Sequence, residues 1–125
     1  MTCSRLRIVV AVLALVLLVT PLRAHHSFAA QYDRNKPVTL VGTVTKLEWT
    51  NPHIYFYMDV KDASGTITKW SIEGGAPNTL YRAGWRKDSL KIGSMVTVEG
   101  FLARDGSKLA NMSVVTTAEG KRIFS

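Results

Sequence analysis

From His53 to Lys61, Ile54, Phe56, Met58 and Val60 interleave with His53, Tyr55, Tyr57 and Asp59. This is the period-2 pattern of a strand with one face in a core. One face is apolar; the other presents a histidine and two phenols. Upstream, Val38 to Trp49 is rich in Val and Thr and predicts a long strand whose apolar phase slips near Lys46-Leu47. Such a slip predicts a bulge or strong coil, with Gly42 available for the bend. Downstream, Asp62-Ala63-Ser64-Gly65 predicts a four-residue hairpin loop. The third strand, Thr66 to Glu73, points Trp70 and Ile72 one way and Lys69, Ser71 and Glu73 the other.

Gly74-Gly75 stops that strand, and Pro77 and Gly84 bracket a short helix from Pro77 to Ala83, with Trp85 and Leu90 packed beneath it. Met95 to Ala103 and Leu109 to Thr117 read as strands four and five, joined through Asp105-Gly106. Glu119-Gly120 then turns the chain into a tail strand, Arg122 to Phe124. Five strands with one short helix between the third and fourth is the element order of the OB-fold, a small all-β Greek-key barrel. A bent first strand serving both halves of the barrel, a glycine just before strand four and Gly100 within it fit that architecture. An open β-sandwich would require more strands and no helix.

The segment ahead of the barrel has two parts. Arg5 and Arg7 precede an unbroken apolar run, Ile8 to Thr20, closed by Pro21. A run of about 13 residues suits the h-region of a signal peptide and is short for a membrane span. Leu22-Arg23-Ala24 places the expected cut between Ala24 and His25 and leaves no transmembrane anchor. The organisation is therefore a signal peptide over 1–24, a lead-in over 25–37 and a barrel over 38–125, with the periplasm as destination. In the lead-in, Phe28 and Tyr32 can share one face of a helical turn, and Asp33 to Lys36 reads as a loop before Pro37.

Several blocks are distinctive: His25-His26-Ser27-Phe28, Gly42-Thr43-Val44, Glu48-Trp49-Thr50-Asn51-Pro52-His53, Glu73-Gly74-Gly75 with Pro77, and Gly84-Trp85 followed by Asp88-Ser89-Leu90. On these the chain resembles a family of small exported bacterial proteins known as domain of unknown function 6152. The resemblance spans essentially the whole mature chain. It implies an exported, periplasmic, stand-alone domain and brings no activity with it.

Charge narrows the functional classes. The net charge is +7, but losing Arg5, Arg7 and Arg23 leaves 13 basic against 9 acidic residues, or +4. The basic residues are scattered, with Arg86-Lys87 and Lys121-Arg122 as the only doublets past the lead-in. That distribution lacks the basic stripe of a nucleic-acid binder, and the compartment disfavours nucleic acid further. The single cysteine, Cys3, lies in the signal segment, so an exported barrel must hold without disulfides.

Two kinds of chemistry remain. The first is a ligand platform on strands two and three. Trp49, Asn51, His53, Tyr55 and Tyr57 would face Lys69 and Glu73 on the surface that OB-folds commonly use for ligands, here an oligosaccharide-like ligand or an envelope protein. The plain alternative is cross-strand pairing that only stabilises the sheet. The second is a metal site built from His25, His26 and His53, the three histidines of the chain. Cleavage after Ala24 would free the amine of His25, which chelates together with its own imidazole. His53 would complete a nitrogen set of the histidine-brace kind, which favours Cu(II). His26 offers a rival chelate through the amine and one backbone amide.

Geometry constrains that second reading. The long first strand spans about 36 Å, and an extended lead-in reaches about 43 Å. The lead-in must therefore run back along the barrel to bring His25 to His53. The histidines have bland roles too, a solvated chain end and a hydrogen-bonded turn. No catalytic motif surrounds a Ser or Cys, so the expectation is a non-catalytic binding or accessory module.

Overall fold

The computed structural model describes residues 27–124. The expected signal peptide, its cut, His25 and His26 lie outside the described residues. The elements are α1 (Phe28–Gln31), β1 (Tyr32–Glu48), β2 (Tyr55–Lys61), β3 (Ile67–Glu73), α2 (Pro77–Arg82), a 3-10 turn (Lys87–Ser89), β4 (Met95–Ala103), β5 (Leu109–Thr117) and β6 (Arg122–Ile123).

The strand order is β3-β2-β1-β4-β5-β6, and a parallel β3–β5 pairing closes the sheet. Closure of five strands in this order, with α2 between β3 and β4, makes the all-β OB-fold barrel. β1 serves both halves: residues up to Thr43 pair with β4, and Thr43 to Glu48 pair with β2. The expected phase slip is a register shift between Val44 and Lys46. At Gly42 a side chain would lie 2.3 Å from the Asp59 carbonyl oxygen, so glycine lets β2 cross closely where β1 changes partner.

Alternation sorts the core as expected. Ile54, Phe56 and Met58 from β2 region, Ile72 from β3, Val96 and Val98 from β4 and Ala110 and Val115 from β5 are buried together. Burying Phe56 alone is worth about 2–3 kcal/mol by area transfer. Leu80 of α2 and Leu90 after the 3-10 turn join the core, and Ile123 and Phe124 join it from the tail. The Asp62–Gly65 loop is an Asp-anchored turn in which Asp62 Oδ1 accepts from the Ser64 and Thr66 amides at 2.9 and 3.0 Å.

The lead-in differs from expectation. Asp33 to Lys36 is strand rather than loop, and β1 starts at Tyr32 rather than Val38. Tyr32 pairs with Ala103, Pro37 pairs with Phe101, and a register shift lies between them. The polar stretch projects to solvent along a bulged rim, so no apolar alternation marks it as strand.

Candidate functional site

The site begins where β2 and β3 stay hydrogen-bonded beyond their strand ends. The Gly74 amide donates to the Ile54 carbonyl at 2.9 Å, and the Ile54 amide donates to the Gly75 carbonyl at 3.0 Å. His53, just ahead of Ile54, is thereby held beside Glu73-Gly74. The approach is close: a Cβ on Gly74 would meet Ile54 Cγ1 at 2.6 Å and Met112 Cε at 2.7 Å. The peptide bond between Asn51 and Pro52 is cis, in the bend that delivers His53.

A row of register partners runs across the barrel at this level. Phe101 opposes Asn111, Asn111 opposes Glu73, Glu73 opposes Tyr55, and Tyr55 opposes Glu48. The row therefore crosses the β3–β5 seam that closes the barrel. α1 and the start of β1 lie over it. The Phe28 ring meets Phe101 edge-on at 5.8 Å and sits 5.4 Å from Tyr32. Tyr32 is 2% exposed, and its hydroxyl donates to Glu73 Oε2.

On the other carboxylate oxygen, Oε1 lies 2.6 Å from His53 Nδ1. A carboxylate only accepts, so the Nδ1 proton points at Glu73 and Nε2 is the ring nitrogen turned away from the carboxylate. The Glu73 side chain is 7% exposed and that of His53 46%. A half-open imidazole thus stands on a buried carboxylate, in a cleft of about 380 Å³ lined by Phe28, Gln31, Tyr32, His53, Glu73, Gly74 and Asn111.

Glu73 sets the electrostatics. Burial first, then the bond to Glu73 and its charge, push the Tyr32 phenol well above its ordinary range. Tyr55 is pushed up to about 12, by burial and then by the charge of Glu73 and a hydrogen bond to it. Both phenols stay protonated at neutral pH, and that of Tyr32 donates to Glu73. A buried carboxylate is tolerable only with donors of this kind around it.

The expected platform is divided by this arrangement. His53, Tyr55 and Glu73 gather at the seam. Glu73 was expected on an exposed face; it is buried, because α1 and Tyr32 cover the outward side of β3. Tyr57 is drawn the other way. Its hydroxyl donates to Glu48 at 3.0 Å, Lys46 lies over its ring at 5.3 Å, and Lys46 pairs with Glu48 at 2.6 Å. Burial and the bond to Glu48 raise the Tyr57 phenol, while Lys46 and Tyr57 hold Glu48 below the usual carboxylate range.

Lys69 reaches Asp59 at 3.1 Å. Trp49 is not on this face: it packs against the core, 6.2 Å from Phe124. Asn51 is exposed in the bend before His53. Of the histidines considered for a metal, His53 alone is described. Among the described residues, no three of His, Cys, Asp and Glu cluster as a metal site.

Tyr32, Gln31 and Asn111 were not anticipated in the site. The one signal was the Phe28–Tyr32 spacing, which is that of a helical turn; Phe28 heads α1, and the Tyr32 amide caps it by donating to the Phe28 carbonyl. Asn111 shows only as a polar position alternating with Ala110 and Met112 in β5.

Fold and site together define a small OB-fold domain with a roofed cleft over its closing seam. The chain belongs to the family described as "Family of unknown function (DUF6152)", whose model matches residues 13–112. No curated protein matches the chain. Among solved structures it is similar to the N-terminal domain of PriB protein from Thermoanaerobacter tencongensis, with a TM-score of 0.46 and 23% identity, over 68% of this chain and 98% of that one. No helix among the described residues is long and apolar enough to cross a membrane.

Proposed function

We propose that this protein is an exported, non-catalytic binding module of the cell envelope, and that it takes its ligand in the cleft over the β3–β5 seam. The observation that carries the reading is the His53–Glu73 pair. A buried carboxylate weakens a fold relative to an apolar side chain of similar size. Here it orients an imidazole whose other edge faces solvent, an arrangement that suits presentation of Nε2 to a ligand. Phe28 supplies an apolar wall and Asn111 an amide with both donor and acceptor.

The compartment in this reading comes from the basic n-region, short apolar run and Ala24 of the sequence. Non-catalytic action is favoured by Tyr32, whose hydroxyl is spent on Glu73 and held protonated. Nucleic acid is disfavoured because Lys46 of β1 and Lys69 of β3 are already paired with Glu48 and Asp59. The aromatic wall suits an oligosaccharide-like ligand or a segment of an envelope protein; the imidazole edge also suits a metal ion.

Amide chemical-shift mapping on the ¹⁵N-labelled protein tests the site. Soluble peptidoglycan fragments, short peptides and divalent metal ions serve as the probes. The expected result is at least one probe whose shifts gather on His53, Tyr55, Gly74 and Asn111 and vanish in His53→Ala. Binding that maps only to other surfaces, or no binding by any probe, would overturn it.

A further inference from the structure

We infer that the ligand of the cleft is an uncharged stretch of oligosaccharide, whose hydroxyls hydrogen-bond to His53, Asn111 and Gln31 while its C–H groups lie on Phe28. This rests on the cleft being the binding site and names the class of its occupant.

The first support is charge. Glu73 carries Tyr32 on one carboxylate oxygen and His53 on the other, and its side chain is 7% exposed. Covered in this way, it offers a cationic ligand no open oxygen. To an anionic ligand it is a like charge in a poorly solvated setting, which costs affinity. Among the described residues, the lining of the cleft includes no lysine or arginine to offset that charge. Arg34 stacks on the Phe28 ring at 4.8 Å, outside the lining. The ligand that fits is neutral.

The second support is hydrogen-bonding character. Asn111 and Gln31 each bring a carboxamide, which both donates and accepts. The Nε2 of His53 accepts in the neutral imidazole and donates in the imidazolium. A hydroxyl satisfies either state, because it too donates and accepts. Asn111 is the register partner of Glu73 across the seam, one strand spacing of about 4.8 Å away. The amide and the imidazole seated on Glu73 therefore address neighbouring groups of one ligand.

The third support sets a sugar apart from a peptide. An extended peptide binds by pairing with free backbone groups at a sheet edge. Here the nearest backbone is engaged: the Gly74 amide donates to the Ile54 carbonyl and the Ile54 amide to the Gly75 carbonyl, while Glu73 and Asn111 pair with each other in the seam. Recognition falls to side chains, and the Phe28 ring adds an apolar surface for sugar C–H groups. A cleft of about 380 Å³ is near the lower end for ligand sites, which suits a short stretch of rings.

The test titrates the ¹⁵N-labelled protein with tetramers of glucose and of N-acetylglucosamine as neutral probes. Tetramers of glucosamine and of galacturonate are the cationic and anionic counterparts. Expected is at least one neutral tetramer that shifts the Gly74 and Asn111 amides saturably and binds at least about 10-fold more tightly than either charged one. Asn111→Ala and Gln31→Ala should each weaken it about 3- to 10-fold, the loss of one hydrogen bond. Circular dichroism checks that each variant is folded.

No shift from either neutral tetramer, a charged tetramer that binds as tightly, or an affinity untouched by both amide variants would overturn the inference. The cleft reading is decided separately. It survives such a result if a peptide, a peptidoglycan fragment or a metal ion shifts His53 and Asn111, and it fails if none does.

Discussion

Replacing Tyr32 with Phe removes one oxygen and keeps the ring against Phe28. The hydroxyl donates to a buried carboxylate, and hydrogen bonds to charged groups contribute about 1.5–3 kcal/mol each. We expect Tyr32→Phe to cost about 2 kcal/mol, which in a domain of about 100 residues lowers Tm by roughly 10 °C. Urea unfolding followed by tryptophan fluorescence measures it. In a Glu73→Gln background the acceptor is neutral, and the same substitution should cost under about 1 kcal/mol. The sign with pH is also fixed. A phenol whose folded-state pKa lies above its unfolded value of about 10 stabilises the fold fully below that pH. The contribution is lost as pH rises from there towards the folded value. The wild-type advantage over Tyr32→Phe should thus be flat from pH 7 to about 10, then fall by about 1.4 kcal/mol per unit. A loss below about 0.5 kcal/mol at pH 7, within the range of ordinary surface substitutions, or an equal loss in the Glu73→Gln background, would refute the account of Glu73 as a buried, donor-dependent carboxylate.

Four further outcomes follow from packing and exposure. Phe56→Ala, at a fully buried position, should cost about 4 kcal/mol in urea unfolding. Gly100→Ala puts a Cβ 2.0 Å from the Asn111 carbonyl oxygen and should cost about 3 kcal/mol by overpacking. Gly106→Ala has open space but a φ of 78° and should cost only about 1 kcal/mol by melting temperature. Lys69→Ala, which removes an exposed ion pair with Asp59, should change stability by no more than about 0.5 kcal/mol in the same urea assay.

The barrel was legible because its strands alternate cleanly and its turns carry Asp-Gly, Glu-Gly or Gly-Gly punctuation. Even the change of partner along β1 showed as a phase slip near Lys46. The site was legible only where it lay on an alternating strand, as with His53, Tyr55 and Glu73. Alternation put Tyr55 and Glu73 on one face of the hairpin but could not show what lay above Glu73. Burial of Glu73 depends on α1 folding back over the seam, a contact between segments distant in sequence. Asn111 and Gln31 gave no local sign for the same reason. Trp49 was misplaced because an aromatic beside a strand end reads alike whether it turns to the rim or, as here, towards Phe124.

Glu73 ties together Tyr32, His53 and its own strand, and does so across the joint where β3 meets β5. Each of those segments is separated from the others by an intervening strand or hairpin, so drawing them together costs loop-closure entropy that local contacts do not offset. A partly assembled barrel with an open β3–β5 joint would have hairpins and some core, yet no cleft. The amides of Glu73, Gly74 and Asn111 should therefore exchange with solvent in step with opening of that joint. On the proposed function, ligand capture would report completed folding, because the cleft is absent until the ring of strands has closed.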